Sequence, residues 1–284
     1  MKSVIDLFHY SFLVNALVTG SAVALAAAVV GYFMICRRST FAGHALPNIG
    51  FSGAAAAVLL GIEPVYGLCA VTISAAVAMG LMGRDLRERD VTVGVIITFA
   101  LGLGFLFLAL YAGYARRIYG ILFGSIVGIS AEATRVAVSA SAGALCILGV
   151  VFRPLLYSTF DPELAAARGV PVTFLSVLFL VVLALVVSVA VQVMGALLLF
   201  TLMVGPAAAA TRLVRHPPRA IALSAGLGLL YVWVGILLAA RLGNVPVSFC
   251  IAAISFLVYL PARLLLRSPR SLDRRAGAAA GSSL

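Results

Sequence analysis

Apolar segments of about 20 residues recur along the whole chain, and this feature limits the possible folds more than any other. A helix of about that length matches the hydrocarbon thickness of a bilayer. The sequence is 63% hydrophobic and only 10% charged, whereas soluble domains usually carry about 25% charged residues. The pattern therefore predicts an all-α integral membrane protein.

The hydropathy pattern predicts about nine transmembrane helices. Their approximate limits are 11–35, 39–60, 65–82, 91–111, 134–152, 172–191, 193–212, 220–240 and 245–266. Residues 112–132 contain an apolar part that is too short to span, so we expect a short interfacial or re-entrant helix there. Residues 1–266 should form one transmembrane domain. Residues 267–284 are rich in Arg, Ala, Gly and Ser, which predicts a disordered cytoplasmic tail.

The basic residues predict the orientation of these helices. With the N-terminus outside and the C-terminus inside, most arginines fall in interior loops, as the positive-inside rule requires. The interior set is Arg37, Arg38, Arg84, Arg87, Arg89, Arg153, Arg168, Arg212, Arg215, Arg219 and the arginines from Arg263 onward; the exterior set is Lys2, Arg116, Arg117 and Arg241. If the 112–132 segment spans, the later helices reverse. The net charge of +11 is explained by these loops, and no basic stripe with interleaved aromatics indicates nucleic-acid binding.

The stretch 39–53, STFAGHALPNIGFSG, carries unusual residues for a membrane helix. His44 and Asn48 are four residues apart and share one face of a helix, while Gly43 and Pro47 remove bulk and a backbone donor beside them. Polar residues at membrane depth usually face protein or a water-filled path. We therefore expect this face to line a translocation pathway. The alternatives are a His44 satisfied by backbone or water and an Asn48 that bonds between helices.

Two further segments contain residues that typically begin, end or interrupt a helix. In DPELAAARG, Asp161 can cap a short helix, Pro162 suits its first position and Gly169 can end it. We expect this helix to dock a partner from within a polar loop, 153–171. Pro206 lies inside the seventh predicted span, where it leaves the carbonyl of Leu202 without its usual donor. Pro47 and Pro206 predict helix breaks near the pathway, with simple helix packing as the alternative.

Several segments, in chain order, resemble the membrane permeases of ABC importers for zinc, manganese and iron, the family of the high-affinity zinc-uptake permease. The residues 43–48, GHALPN, correspond to that family's Gly-Asp-Ala-x-Ser-His motif, so its Asp and His positions fall on His44 and Asn48. The other segments are RDVTVGVIITFALGLG (89–104), ILFGSIVGIS (121–130), FDPELAAARGVP (160–171) and MGALLLFTLMVGPAAAATR (194–212). The resemblance covers nearly the whole chain.

This resemblance implies a permease subunit of the bacterial cytoplasmic membrane and not an enzyme. It implies a dimer with a second permease copy, a dimer of cytoplasmic ATP-binding subunits and an extracytoplasmic metal-binding protein, all around a lipid-embedded domain. The cargo would be a divalent metal ion, zinc first and manganese or iron next, held transiently by His44 and Asn48 with no tightly bound cofactor. The 160–171 loop would receive the ATPase motion, with Asp161, Glu163, Arg168 and Gly169 at that contact.

Other functions stay open at this point. The sequence contains no Gly-x-x-x-x-Gly-Lys phosphate loop, so ATP would have to act through a partner. A permease for an iron chelate or cobalamin is one alternative, and a secondary transporter without an ATPase is another. Proton-coupled carriers usually need intramembrane carboxylates, whereas Glu63, Asp90 and Glu132 fall at the ends of predicted spans. A membrane-embedded enzyme has no cluster with catalytic spacing to support it.

Overall fold

The computed structural model describes residues 11–81, 86–111, 130–242 and 245–265, and within these ranges all the regular secondary structure is α-helical. The helices are α1 Ser11–Cys36, α2 Thr40–Leu59, α3 Pro64–Leu81, α4 Leu86–Leu110, α5 Ala131–Val150, α6 Phe152–Phe160, α7 Pro162–Ala167, α8 Val172–Met194, α9 Ala196–Leu213, α10 Pro217–Leu242 and α11 Val247–Leu265. The predicted all-α class is confirmed. Residues 112–129 of the predicted interfacial segment, the predicted tail 267–284, and Lys2, Arg84, Arg116 and Arg117 lie outside the described residues.

Seven of the described helices are long and apolar enough to cross a bilayer: α1, α3, α4, α5, α8, α10 and α11. The two remaining predicted spans are helical but differ from these seven. Helix α2 is 20 residues long but less apolar, because its glycines and polar residues lower its mean hydropathy. The apolar part of α9, Leu198–Leu213, is shorter. The predictions of nine spans and of the orientation of the termini stay predictions.

Helices α1 and α8 form the centre of the bundle, with 67% and 61% of their apolar windows buried, against 17% for α4. Helix α8 contacts α1, α2, α3, α5 and α9, while α9 packs between α1, α10 and α11. Helix α2 lies against α3, α4, α8 and α9. This arrangement places the two less typical spans, α2 and α9, inside the bundle rather than at its periphery.

The contact between α2 and α3 depends on two glycines that face each other. A methyl group built on Gly53 would overlap the carbonyl oxygen of Gly67, and one built on Gly67 would overlap the carbonyl oxygen of Gly53. Small residues permit such close backbone approach in membrane helices, where van der Waals packing supplies much of the association energy. Helix α2 is therefore held at a position that larger residues here would not allow.

Several local predictions need correction. The segment 153–171 was predicted to be a polar loop around one short helix, but Phe152–Phe160 forms a separate helix, α6. Leu155 and Ser158 of α6 are buried, so tertiary packing overrides the weak helical signal of this segment. The break between the sixth and seventh predicted spans lies at Gly195, which has a φ of 79°, rather than near Gln192. The second span was predicted to begin at residue 39, but α2 begins at Thr40, and the hydroxyl of Ser39 donates to the Met34 carbonyl.

Candidate functional site

Helix α2 is almost wholly buried except along one strip. Pro47 lies inside this continuous helix, so the carbonyl of Gly43, four residues earlier, loses its usual helical donor. Gly43 is buried, and a methyl group on it would overlap the sulfur of Met34. Against this packed surface, His44 is exposed and Asn48 is half-buried. The strip that carries these two polar side chains is thus the part of α2 that other helices of the described chain leave accessible.

His44 and Asn48 are connected within their own helix. The Nδ2 of Asn48 donates to the backbone carbonyl of His44, with a donor–acceptor distance of 2.8 Å. This bond fixes the side chain of Asn48 along the helix and directs its amide oxygen away from that carbonyl. An imidazole nitrogen and an amide oxygen are then the two groups that this strip can offer to a cation.

An aromatic ring from α9 supports the imidazole. The rings of His44 and Phe200 meet edge to face, with centroids 5.2 Å apart and an interplanar angle of 68°. Edge-to-face contacts of aromatic rings are favourable because the positive ring edge meets the negative face. Sequence reasoning did not identify Phe200, which stands in the apolar run ALLLFTL with no local signal of a role. We call the surface formed by His44, Asn48 and Phe200 the His44 face.

The helix breaks predicted at Pro47 and Pro206 do not form, because α2 and α9 continue through these prolines. Pro206 also lies outside the His44 face. Pro206 is buried inside the continuous helix Ala196–Leu213, and Leu202, whose carbonyl it deprives of a donor, is fully buried. The neighbouring Gly205 packs against Ser255 of α11. Pro206 therefore stands where α9 meets α11, whereas Gly43 and Pro47 stand beside His44.

The predicted docking helix forms, with its capping, first-position and terminating residues where the sequence predicted them. Asp161 caps α7 by accepting a hydrogen bond from the backbone N–H of Leu164 at 2.9 Å, and Pro162 occupies the first position. Gly169 follows with a φ of 79°. The charged residues Asp161, Glu163 and Arg168 are exposed while Ala165 is buried, so α7 rests on the bundle and presents its polar side outward. The guanidinium of Arg168 lies over the ring of Tyr157 in α6, 5.8 Å from its centroid.

Within the described ranges, no three His, Cys, Asp or Glu side chains converge to hold a metal ion. The His44 face thus offers a cation one imidazole and one amide oxygen from this part of the chain. Such a set suits brief contact with a divalent ion. Retention of an ion would need more and stronger ligands.

The chain matches known proteins over nearly its full length. Residues 9–265 match the ABC 3 transport family. The manganese transport system membrane protein MntC of Halalkalibacterium halodurans is 30% identical over 81% of this chain and 80% of its own length. The manganese import system permease protein ScaB of Streptococcus pneumoniae is also 30% identical, over 89% of this chain and 90% of its own. The structure of PsaBC from Streptococcus pneumoniae superimposes with a TM-score of 0.83, at 27% identity, covering 95% of this chain and 98% of that chain.

Proposed function

Because the chain belongs to the ABC 3 transport family, we propose that it forms the membrane path of an ATP-driven importer for a divalent transition metal, with Mn²⁺ as its substrate. The chain is a multi-pass inner-membrane protein and a transport subunit rather than an enzyme, as the sequence predicted. In the proposed assembly it pairs with a second permease copy, a dimer of ATP-binding subunits and an extracytoplasmic metal-binding protein.

The exposure of His44 on a mostly buried helix is the observation that carries this proposal. A polar side chain facing lipid inside an apolar segment is costly, so such residues usually face protein or a water-filled cavity. His44 is exposed on the single chain, and its ring is held by Phe200. A second permease copy placed over the His44 face would exclude lipid from it and enclose a path between the two subunits.

The manganese relatives, together with the amide oxygen of Asn48, favour manganese over the zinc that the sequence first suggested. Carbonyl-type oxygen ligands suit Mn²⁺, whereas the imidazole of His44 would suit zinc or iron as well. Asn48 brings an amide oxygen to the His44 face, and its Nδ2 is engaged with the His44 carbonyl. The relatives named above are manganese systems. We therefore rank Mn²⁺ first and keep Zn²⁺ and Fe²⁺ as competing substrates in the test.

In this proposal, ATP-driven movement of the ATP-binding subunits would reach the bundle through α7. The proposal places its outward side, with Asp161, Glu163 and Arg168, against the ATP-binding subunits. Exposed charged residues at a helix that rests on the bundle through Ala165 can exchange water for a polar partner without disturbing the core. The cap at Asp161 and the turn at Gly169 define the two ends of this docking helix.

The test measures the metal content of cells that lack this chain and of the same cells carrying the wild-type chain or the H44A variant, all in metal-poor medium. Wild-type chain should restore manganese selectively. A hydrogen bond to a charged group is worth about 1.5–3 kcal/mol. Taking the contact between His44 and the cation as comparable, H44A should lower manganese accumulation by about tenfold or more.

The matched control is H216A, because His216 is another exposed histidine, in the turn before α10. It should accumulate manganese as the wild-type chain does, at equal membrane abundance. Restored zinc or iron without manganese would replace the substrate named here. Equal manganese in H44A and wild-type cells would remove His44 from the path.

A further inference from the structure

The connection between α1 and α2 contains an arginine that is bonded to two other helices. Arg37, half-buried just after α1, donates from Nη1 to the hydroxyls of Ser158 at 3.3 Å and Thr159 at 3.1 Å, both on α6. Its Nη2 donates to the hydroxyl of Ser176 on α8 at 2.5 Å. The guanidinium also lies over the ring of Phe179, 5.6 Å from its centroid. One side chain therefore joins the α1–α2 junction to α6 and α8.

The hydroxyls around Arg37 are oriented to accept its bonds. Ser158 and Thr159 each donate their proton to the carbonyl of Leu155, at 3.0 and 2.6 Å. Ser176 donates its proton to the carbonyl of Val172 at 2.9 Å. With their protons used inside their own helices, these oxygens turn lone pairs toward Arg37. The planar guanidinium can reach several such acceptors at once, whereas a lysine ammonium is a single point charge.

The position of Arg37 places it between the two parts of the proposed transport cycle. Thr159 is near the end of α6, which ends at Phe160, and Asp161 alone separates α6 from α7. On the other side, α2 begins at Thr40, and His44 lies about 6 Å further along its axis at 1.5 Å per residue. A displacement of α7 would move the end of α6, and Arg37 would carry that movement to the start of α2.

The surroundings of Arg37 leave room for such movement. A cleft of about 420 Å³ opens beside it, and its lining includes Arg38, Pro162 of α7 and Thr173 of α8. Arg38 adopts a φ of 54°, a left-handed conformation that residues other than glycine rarely occupy and that costs about 1–2 kcal/mol. The junction is thus a sharply turned connection beside open space, held to α6 by the side chain of Arg37.

We infer that Arg37 is a positioning residue that couples movement of the ATPase-docking helix α7 to the His44 helix α2. This inference rests on the proposed function, since it names the link between the site of ATP-driven movement and the metal path. The inference gives Arg37 no role as a metal ligand or as a nucleotide contact. It acts through its hydrogen bonds to the end of α6, so breaking those bonds should separate ATP hydrolysis from metal movement.

The experiment uses the complete importer, purified and reconstituted into liposomes, and measures Mn²⁺ uptake and ATP hydrolysis on the same sample. In R37Q, uptake per ATP hydrolysed should fall about fivefold or more, in the range of ordinary coupling energies. R37K keeps the positive charge but loses the planar guanidinium, so its uptake per ATP hydrolysed should lie between those of R37Q and wild type. R38Q removes a neighbouring charge with no such bonds to α6 and should keep the wild-type ratio.

A second variant guards against misfolding of R37Q. The double substitution S158A/T159V keeps Arg37 and its bond to Ser176 but removes both acceptors on α6, and it should lower the ratio as R37Q does. Loss of folded protein lowers uptake and hydrolysis together, so it leaves the uptake per ATP unchanged. An unchanged uptake per ATP in both R37Q and S158A/T159V would overturn this inference but not the proposed function. A wild-type importer that hydrolyses ATP but moves no Mn²⁺ would instead overturn the proposed function.

Discussion

Replacing Gly67 with alanine should force α2 and α3 apart. The new methyl group would overlap the carbonyl oxygen of Gly53 and press on the side chain of Ala57. A backbone oxygen cannot rotate away as a side chain can, so the two helices must separate locally by about 1 Å. Overpacking of this kind typically costs about 1–3 kcal/mol, and a backbone obstacle places Gly67→Ala in the upper half, at about 2–3 kcal/mol.

The assay is equilibrium unfolding of the purified chain in detergent, followed by loss of helical circular dichroism. A loss of about 2 kcal/mol changes the folded-to-unfolded ratio by about thirtyfold. The matched control is Gly226→Ala, because Gly226 lies on an open surface of α10 where a methyl group meets nothing within 4 Å. Alanine has the higher helix propensity, so this control should be as stable as the wild-type chain or more so.

A double variant sharpens the test. Once α2 and α3 have separated for one methyl group, a second methyl at Gly53 enters space that is already open. The G53A/G67A pair should therefore lose clearly less stability than the two single losses combined, as contacting residues often do. Wild-type stability in Gly67→Ala would refute the close approach of the two backbones, and full additivity would refute the shared contact.

Three further predictions follow from the site and its surroundings. Asp161→Ala removes the cap of α7 and should weaken co-purification of the ATP-binding subunit by about fivefold, since a cap is worth about 1 kcal/mol; Asp161→Asn keeps the cap acceptor and loses only the charge, so it should weaken co-purification less. Gly169→Ala places a methyl at a φ of 79° and should lower the free energy of unfolding by about 1 kcal/mol, whereas Gly143→Ala, with open space around it, should not. Phe200→Ala should reduce manganese accumulation about threefold by releasing the His44 ring, while Phe200→Tyr keeps the aromatic contact and the activity.

Rules for helix ends and for residue spacing predicted the elements that depend only on nearby residues. The cap, first-position proline and terminal glycine of α7 follow directly from DPELAAARG, because each satisfies the ends of one short helix. The placement of His44 and Asn48 on one strip of α2 follows from their spacing alone. Segment α6 was missed because RPLLYSTF is rich in residues of low helix propensity, whereas in the fold its Leu155 and Ser158 are buried against other helices.

Contacts between distant segments could not be read from the sequence. Arg37 and Arg38 look alike as neighbours in a basic loop, and both fit the positive-inside rule. Only the fold shows that Arg37 meets α6 and α8 while Arg38 is exposed. Phe200 was similarly hidden in an apolar run, since its partner His44 belongs to a helix far away in the sequence. Packing decides such roles, and packing depends on the whole bundle.

The central claim is that the His44 face lines a water-filled path, and thiol labelling of the assembled importer tests it most directly. In a chain whose native cysteines are replaced, H44C should react with a hydrophilic, membrane-impermeant thiol reagent. F99C is the control, because Phe99 is 68% exposed on the peripheral helix α4, where lipid should shield it. Labelling of H44C without labelling of F99C is the expected result; an H44C as unreactive as F99C would place the His44 face against lipid and contradict the account.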